Sequence, residues 1–387
     1  MRMGVGFSID LDPHKAAADA AQVAADRSGG PDADLALVFA THHHDGAFVE
    51  LLQAVQETVR PAHLIGCTGE SLVANDREIE GEPAVVVWLA HMPGVNIKTF
   101  SIDFEQTPEG PAFLGFPDEL PEAPPGGSSL MILLGEPFSL PADVLLNRLN
   151  EDHPGLPVVG GMASGGFGPE RNRVFLGTSE LAGGAVAAHL SGNFKLQTVV
   201  SQGCRPIGKP FVITKANEDI IFQLGGKPAW EQLKTVLDDL PPEDRELLKQ
   251  GLHVGRAIDE YREGFRRGDF LIRNFRGYDP DSGAIAVDDM FRVGQTIRFH
   301  LRDRHSADED LREMLAPAGS KPAGGLLFSC NGRGSRLFRM PDHDAGEVRR
   351  RHDGLPLAGF FAQGELGPVG GRNFMHGFTA SIALLGT

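Results

Sequence analysis

Cysteine is scarce in this chain: its 387 residues hold three, Cys67, Cys204 and Cys330, too far apart to form any Cys-x-x-Cys pair. An odd and scattered set argues against a disulfide scaffold and against a zinc ribbon. Tryptophan and tyrosine number two each, whereas phenylalanine numbers 24 and is expected to fill much of the core. Positive charge is also in short supply. Lys and Arg total 36 against 52 Asp and Glu, a formal net charge of −16. A surface of that sign repels nucleic acid and anionic lipid and favours solubility, so neither is an expected partner. No uninterrupted apolar stretch approaches the ~20 residues that cross a bilayer. The start, Met1-Arg2-Met3-Gly4-Val5-Gly6, carries no long apolar h-region. No membrane insertion is expected, and the cytoplasm is the default location.

Hydrophobic residues make up 41% of the chain, charged residues 23%, and Gly and Pro number 49 and 27. That balance describes a globular α/β protein with many turns. The length favours two domains or a duplicated pair over a single core. Gly4 to Ile9 reads as a strand, and an Ala-rich helix follows from Pro13 to Arg27, where proline is tolerated because a first-turn N–H has no partner anyway. The run Leu35-Ala36-Leu37-Val38-Phe39-Ala40 has the length and composition of a buried strand. Phe48, Leu51, Leu52, Val55 and Val59 then fall at helical spacing. A short strand ends at Gly66, and a strong strand covers Ala84 to Ala90.

The same order recurs. Ser129 to Leu134, Pro141 to Leu149, Pro157 to Gly160 and Ala182 to Leu190 form a second copy. Gly325 to Ser329, Ala345 to Arg351, Pro356 to Gly359 and Phe378 to Leu385 form a looser third. The unit is strand, helix, short strand, loop, long strand, with loops beginning at Gly66, Gly160 and Gly359. The expected fold is therefore α/β, with mixed, largely antiparallel sheets covered by helices. Thr107 to Gly127 reads as an exposed Pro-rich link. Thr214 to Leu224 reads as a hairpin turning at Asn217-Glu218, Lys227 starts a helix, and Phe270 to Arg304 is mostly strand with a turn at Asp279 to Gly283. The expected division is an N-terminal strand and helix over residues 1–32, one domain over 33–224 and another over 225–387.

Four loops carry candidate chemistry. Gly66-Cys67-Thr68-Gly69-Glu70-Ser71 and Gly160-Gly161-Met162-Ala163-Ser164-Gly165 offer glycines, hydroxyls and backbone N–H groups suited to a carboxylate or phosphate. A plain tight turn accounts for them equally well. Neither has the spacing of a P-loop or a dinucleotide fingerprint. Ser329-Cys330-Asn331-Gly332-Arg333-Gly334 ends a strand with a thiol, an amide and a planar guanidinium that can grip an anion. The alternative is an Arg333 paired with a structural acid such as Glu365. Cys330 is a candidate nucleophile, although a lone cysteine more often behaves as a small hydrophobe. In Ala362-Gln363-Gly364-Glu365, the carboxylate can hold a ligand amine, pair with Arg333 or face solvent. His42-His43-His44-Asp45 has no ligand spacing, since adjacent side chains cannot all point at one ion.

These segments together resemble the FIST family, whose name abbreviates F-box and intracellular signal transduction. The resemblance rests on Asp34-Leu35-Ala36-Leu37-Val38-Phe39, Ile65 to Glu70, Val159-Gly160-Gly161 and Thr214 to Ile220. More specifically, it rests on Leu326 to Gly334 and Pro356 to Pro368. It implies a sensory module for small ligands, with amino acids and their relatives favoured. Some bacterial relatives are haem-based nitric oxide sensors, and others are joined to signalling-output domains or an F-box. Residues 1–33 are too short for such an output domain, so the expectation is either signalling through a separate partner protein or ligand binding alone. The resulting expectation is a small-ligand sensor rather than an enzyme. Its ligand residues would be Cys67, Thr68, Gly69, Glu70, Ser164, Cys330, Asn331, Arg333, Gly334, Gln363 and Glu365, with no cofactor and no metal. The competing readings are a Cys- or metal-dependent enzyme, a haem-based gas sensor and an interaction scaffold.

Overall fold

The computed structural model describes residues 1–262, 264–315 and 321–387. They form two units, the first built from residues 1–200, 312–375 and 379–387, the second from 201–311 and 376–378.

The first copy of the repeated motif runs β1 (Arg2–Ser8), α1 (Pro13–Ser28), β2 (Leu35–Thr41), α2 (Phe48–Thr58), β3 (His63–Gly69), β4 (Ser71–Ala74), β5 (Arg77–Glu80) and β6 (Val85–His91). The second runs β7 (Val95–Thr107), β8 (Gly110–Leu114), β9 (Ser128–Gly135), α3 (Ala142–Asp152), β10 (Val158–Met162), β11 (Val174–Leu176), β12 (Ser179–Leu181) and β13 (Ala185–Gly192). The third opens with β14 (Lys195–Gln202), and the second unit follows it in the chain.

That second unit contains β15 (Cys204–Asn217), β16 (Ile220–Leu224), β17 (Lys227–Pro228), α4 (Ala229–Asp238), α5 (Pro242–Leu247), β18 (Leu252–Ala257), β19 (Phe270–Asp279), β20 (Ala284–Val287) and β21 (Thr296–Arg302). The strands lie in the order β15-β21-β18-β19-β20-β16-β17, and a further β15–β16 pairing closes the sheet into a barrel. Closure removes the open edges that would otherwise invite pairing with another chain. Ile213, Val254, Ile297 and Phe299 fill its core, and Leu233 and Val236 of α4 belong to the same cluster. The expected turns are present: β15 and β16 meet around Glu218, which takes a positive φ of 53°, and Gly283 donates to the Asp279 carbonyl.

The chain continues through α6 (Arg304–Met314) and completes the third copy with β22 (Gly324–Cys330), α7 (Ser335–Phe338), α8 (His343–Arg351), β23 (Leu357–Ala362), β24 (Glu365–Val369), β25 (Arg372–His376) and β26 (Thr379–Gly386).

In each copy two strands run parallel around a helix: β2 with β3, β9 with β10, β22 with β23. The last strand of each returns antiparallel to the first. The hairpins, however, are exchanged. β4 of the first copy pairs with β23 of the third, β11 of the second with β3 of the first, and β24 of the third with β10 of the second. Every sheet of the first unit thus holds strands from two copies, in a cycle. The inner faces share one core, in which Phe39 comes from the first copy, Leu134 from the second and Phe328 and Phe360 from the third. Phe39 and Phe360 lie 5.3 Å apart, centroid to centroid. Each such buried side chain contributes about 1.5–3 kcal/mol.

The outer faces are covered by helices. Asp12 caps α1 by accepting from the Lys15 N–H at 2.8 Å, and Gly29 ends the helix in the left-handed region at φ 94°. Alanine recurs along α1 because β1 approaches closely. A Cβ on Gly6 would sit 2.0 Å from the Ala20 carbonyl oxygen, and one on Gly4 2.4 Å from that of Ala24.

Gly66, Gly160 and Gly359 do not begin loops; all three lie within the second parallel strand of their copies. They face Val38, Leu133 and Leu327 across the parallel pair. A Cβ on each would stand 1.9, 1.9 and 1.8 Å from the carbonyl oxygen of that facing residue. Close backbone approach, not turn geometry, demands glycine at this position in every copy.

Candidate functional site

The ends of β3, β10 and β23 converge, and one hydroxyl ties them together. Ser164 Oγ accepts from the Glu70 N–H at 2.9 Å and donates to the Phe361 carbonyl. The Ser164 N–H donates to the Thr68 carbonyl at 3.1 Å. Glu70 belongs to the first copy, Ser164 to the second and Phe361 to the third. Beside this junction the Met162 N–H donates to Gly364 at 2.8 Å, and the Gln363 N–H returns a bond to Met162 at 3.0 Å. Thr68 exchanges bonds with the backbone of Arg173, giving its N–H to the carbonyl at 2.9 Å and accepting from the N–H at 3.1 Å. The carboxyl ends of parallel strands are where ligands settle in open α/β sheets, because loops diverge there and leave backbone groups unpaired.

Residues expected to bind ligand occupy different depths. Thr68, Gly69, Ser164, Arg333, Gly334 and Glu365 are buried, Glu70, Cys330 and Asn331 are half-buried, and Gln363 is exposed. Cys67 is part of the apolar core, where burial pushes its thiol well above the ordinary range. Solvent therefore reaches the junction at Glu70, Cys330, Asn331 and Gln363. Of the three adjacent histidines, His42 is half-buried against Gly165, His43 is exposed, and His44 is buried with neither ring nitrogen hydrogen-bonded.

Behind Cys330 lies a network of buried charge. Arg333 is fully enclosed and forms a two-pronged pair with Asp344, Nε to Oδ2 at 2.6 Å and Nη2 to Oδ1 at 2.9 Å. Asp344 also accepts from Ser329 Oγ at 3.0 Å, and His343 Nδ1 lies 3.0 Å from its other oxygen. Two of the donors of Arg333 are therefore committed within the protein, while Nη1 has no hydrogen-bond partner. Burial alone would raise the Asp344 carboxyl, but the charge and hydrogen bonds of Arg333, with His343, outweigh it and hold it well below the usual range. Glu78 arrives from the hairpin of the first copy. Its Oε1 accepts from the N–H groups of Asp344 and Ala345 at 2.8 and 3.0 Å, capping the start of α8. Burial, reinforced by the Asp344 charge, pushes Glu78 up to about 8.

Glu365 is fully buried, and its Oε2 accepts from the N–H and hydroxyl of Thr379 at 3.0 and 2.7 Å. Burial pushes it up to about 8 against the opposing pull of Thr379, Arg333 and a hydrogen bond with Cys330. It is a neutral acid at pH 7. A second ion pair, Arg336 with Glu70, lies on the solvent-reached side, or mouth, of the junction, and Arg336 Nη1 also donates to the Asn331 carbonyl at 2.8 Å.

Sequence reasoning missed Asp344, Glu78, Arg336 and Thr379. For Asp344 a signal existed, an acid in the first turn of the helix that follows the Arg333 loop. Nothing local announces Glu78, which reaches the same helix end from 266 residues away.

The arrangement defines a class: a triplicated α/β protein with an inserted barrel, whose repeats bring polar loops to one junction. The FIST N domain matches residues 34–227 and the FIST C domain residues 229–368. The chain belongs to the FIST family, whose domains are regarded as sensory domains of signal transduction. It is 43% identical, over 388 aligned positions and 99% of both chains, to a protein of Mycobacterium tuberculosis described as uncharacterized protein Rv0628c. Uncharacterized protein Mb0898c of Mycobacterium bovis is 41% identical over 99% of this chain and 98% of its own. Among the described residues no helix is long and apolar enough to cross a membrane.

Proposed function

We propose that the protein is a sensor whose small ligand, an amino acid or a related metabolite, binds at the junction of the three copies and is read by a separate partner protein. The observation that carries this reading is the Ser164 hydroxyl, bonded to Glu70 and to Phe361. Through it, a displacement at any one strand end is felt by the other two.

Polar atoms suited to such a ligand stand close by. Asn331 Oδ1 is buried without a partner and can accept from an ammonium group. Arg333 Nη1 can donate to a carboxylate that reaches it, while its other two donors stay on Asp344. Glu70 and Arg336, paired across the mouth, can separate to admit an ammonium and a carboxylate. An exposed pair of this kind is worth only about 0–1 kcal/mol, so opening it is cheap.

Binding would shift a conformational equilibrium by the difference in ligand affinity between the two states. The partner would recognise the state in which the junction has closed on its ligand.

The test is a thermal-shift screen of the full chain against amino acids and related metabolites, repeated with Asn331→Ala. At a concentration 100 times Kd, a true ligand stabilises by about 2.7 kcal/mol, and Asn331→Ala should abolish most of that shift. Absence of any stabilising compound, or shifts that Asn331→Ala leaves intact, would overturn the assignment.

A further inference from the structure

The three cysteines stand in unlike surroundings. Cys67 and Cys204 are completely enclosed, whereas Cys330 is half-buried at the mouth and outside any disulfide. Its thiol shares a hydrogen bond with the carboxyl of Glu365. Two guanidinium groups, those of Arg333 and Arg336, interact with it electrostatically. Since Arg333 binds Asp344 through Nε and Nη2, its remaining nitrogen, Nη1, lies on the edge turned away from that carboxylate. This nitrogen is fully buried and has no hydrogen-bond partner. A thiol thus shares a hydrogen bond with a buried acid and lies within electrostatic reach of a buried guanidinium that has an unbonded donor, a setting that suits an oxygen carried on sulfur.

We propose that Cys330 is a two-electron oxidation site, converted by a hydroperoxide to a sulfenic acid. The sulfur, as thiolate, attacks one peroxide oxygen; the S–O bond forms and the O–O bond breaks. The thiol proton passes to solvent, and the departing oxygen takes up the carboxyl proton of the neutral Glu365, which solvent then restores, and leaves as water, or as an alcohol from an organic hydroperoxide. Sulfur loses two electrons, the peroxide gains two, and no other reactant is consumed. Arg333 Nη1 supplies a hydrogen bond to the oxygen on which negative charge develops, and Arg336 adds a second positive charge from the solvent side. The product replaces the Cys330–Glu365 hydrogen bond at the end of β22, next to the Asn331 N–H that bonds Ala362 at 3.0 Å. Oxidation thereby acts on the same strand ends as the proposed ligand, but needs no ligand to occur.

The full chain is exposed to equimolar hydrogen peroxide in the presence of a cyclic 1,3-diketone that traps sulfenic acids, and labelled peptides are quantified by mass spectrometry. The expected result is rapid labelling at Cys330, about tenfold faster than free cysteine in the same buffer, with Cys67 and Cys204 unlabelled. Glu365→Gln should slow Cys330 about tenfold while near-ultraviolet circular dichroism stays unchanged, because the amide cannot donate a proton to the departing oxygen. If that variant loses its fold, the wild-type rate alone decides. Cys330 reacting no faster than free cysteine would overturn the proposal. So would equal labelling of the enclosed cysteines in the folded protein, or a folded Glu365→Gln that reacts at the wild-type rate.

Discussion

Glu136 in the second copy and Cys330 in the third occupy the same place, the third residue beyond the one that faces the tight glycine of the neighbouring strand. Their surroundings differ completely. Glu136 is buried, and its Oε2 accepts from the N–H groups of Phe138 and Ser139 and from the Ser139 hydroxyl, all between 2.8 and 2.9 Å. That loop is closed on itself. Cys330 instead opens a half-buried segment backed by Arg333, Asp344, Glu78 and Glu365. One backbone design thus supports a self-satisfied turn in one copy and a charged, partly accessible site in another. Repetition fixes where the loops meet; side chains alone decide which loop carries chemistry.

The comparison can be broken first at the shared scaffold. Gly160 has a φ of 144°, and a Cβ there would stand 1.9 Å from the Leu133 carbonyl oxygen. Gly160→Ala should therefore cost more than about 4 kcal/mol in urea unfolding, combining backbone strain with overpacking. The exposed turn glycine Gly155 also has a positive φ, 82°, but no neighbour within 4 Å, so Gly155→Ala should cost far less. Next comes the third copy's charge pair. Arg333→Met leaves Asp344 buried and alone, a loss of about 3–5 kcal/mol, and adding Asp344→Leu should restore most of it. If the double variant is no better than the single one, the pair is not the unit described here.

In the second copy, Glu136→Gln exchanges a charged acceptor for an amide and should cost about 1–3 kcal/mol without altering ligand response. The pH dependence of stability separates the two units on a similar scale. Glu78 and Glu365, raised to about 8 in the folded protein, contribute stability that is complete below about 4.5 and disappears as pH rises through 8. In the barrel, His253 and His300 are lowered by burial to about 4 and about 3. Their contribution is complete above about 6.5 and fades as pH falls through those values. Calorimetry from pH 5 to 9 should show the first unit weakening with alkali, and Glu365→Gln should flatten that slope. The smallest effect belongs to Arg336→Ala, below about 1 kcal/mol, because the pair with Glu70 is largely solvated.

Much of this architecture was legible in the sequence. Asp12-Pro13 and Gly29 bracket α1 with local chemistry, and the recurring order of strand, helix and strand revealed the copies, because periodicity within an element is a local property. The exchange of β4, β11 and β24 between copies was not legible, since a short hairpin carries no mark of which sheet it will join. The tight glycines show a related limit. Gly66 reads as a turn because turns and close backbone approach call for the same residue, and only its neighbour across the sheet distinguishes them. The site divides in the same way. Thr68, Ser164, Cys330 and Glu365 stand out as polar residues beside strand ends. The partner of Arg333 does not, because Asp344 and Glu365 offer the same carboxylate and the fold alone selects between them.

Hydrogen–deuterium exchange on the full chain, with and without the most stabilising compound from the metabolite screen, tests most directly whether the three copies act as one sensing junction. The account predicts simultaneous slowing in residues 68–70, 162–165, 330–333 and 361–364, with the segment around Glu136 unaffected. Slowing confined to a single copy, or located only in the barrel, would contradict it.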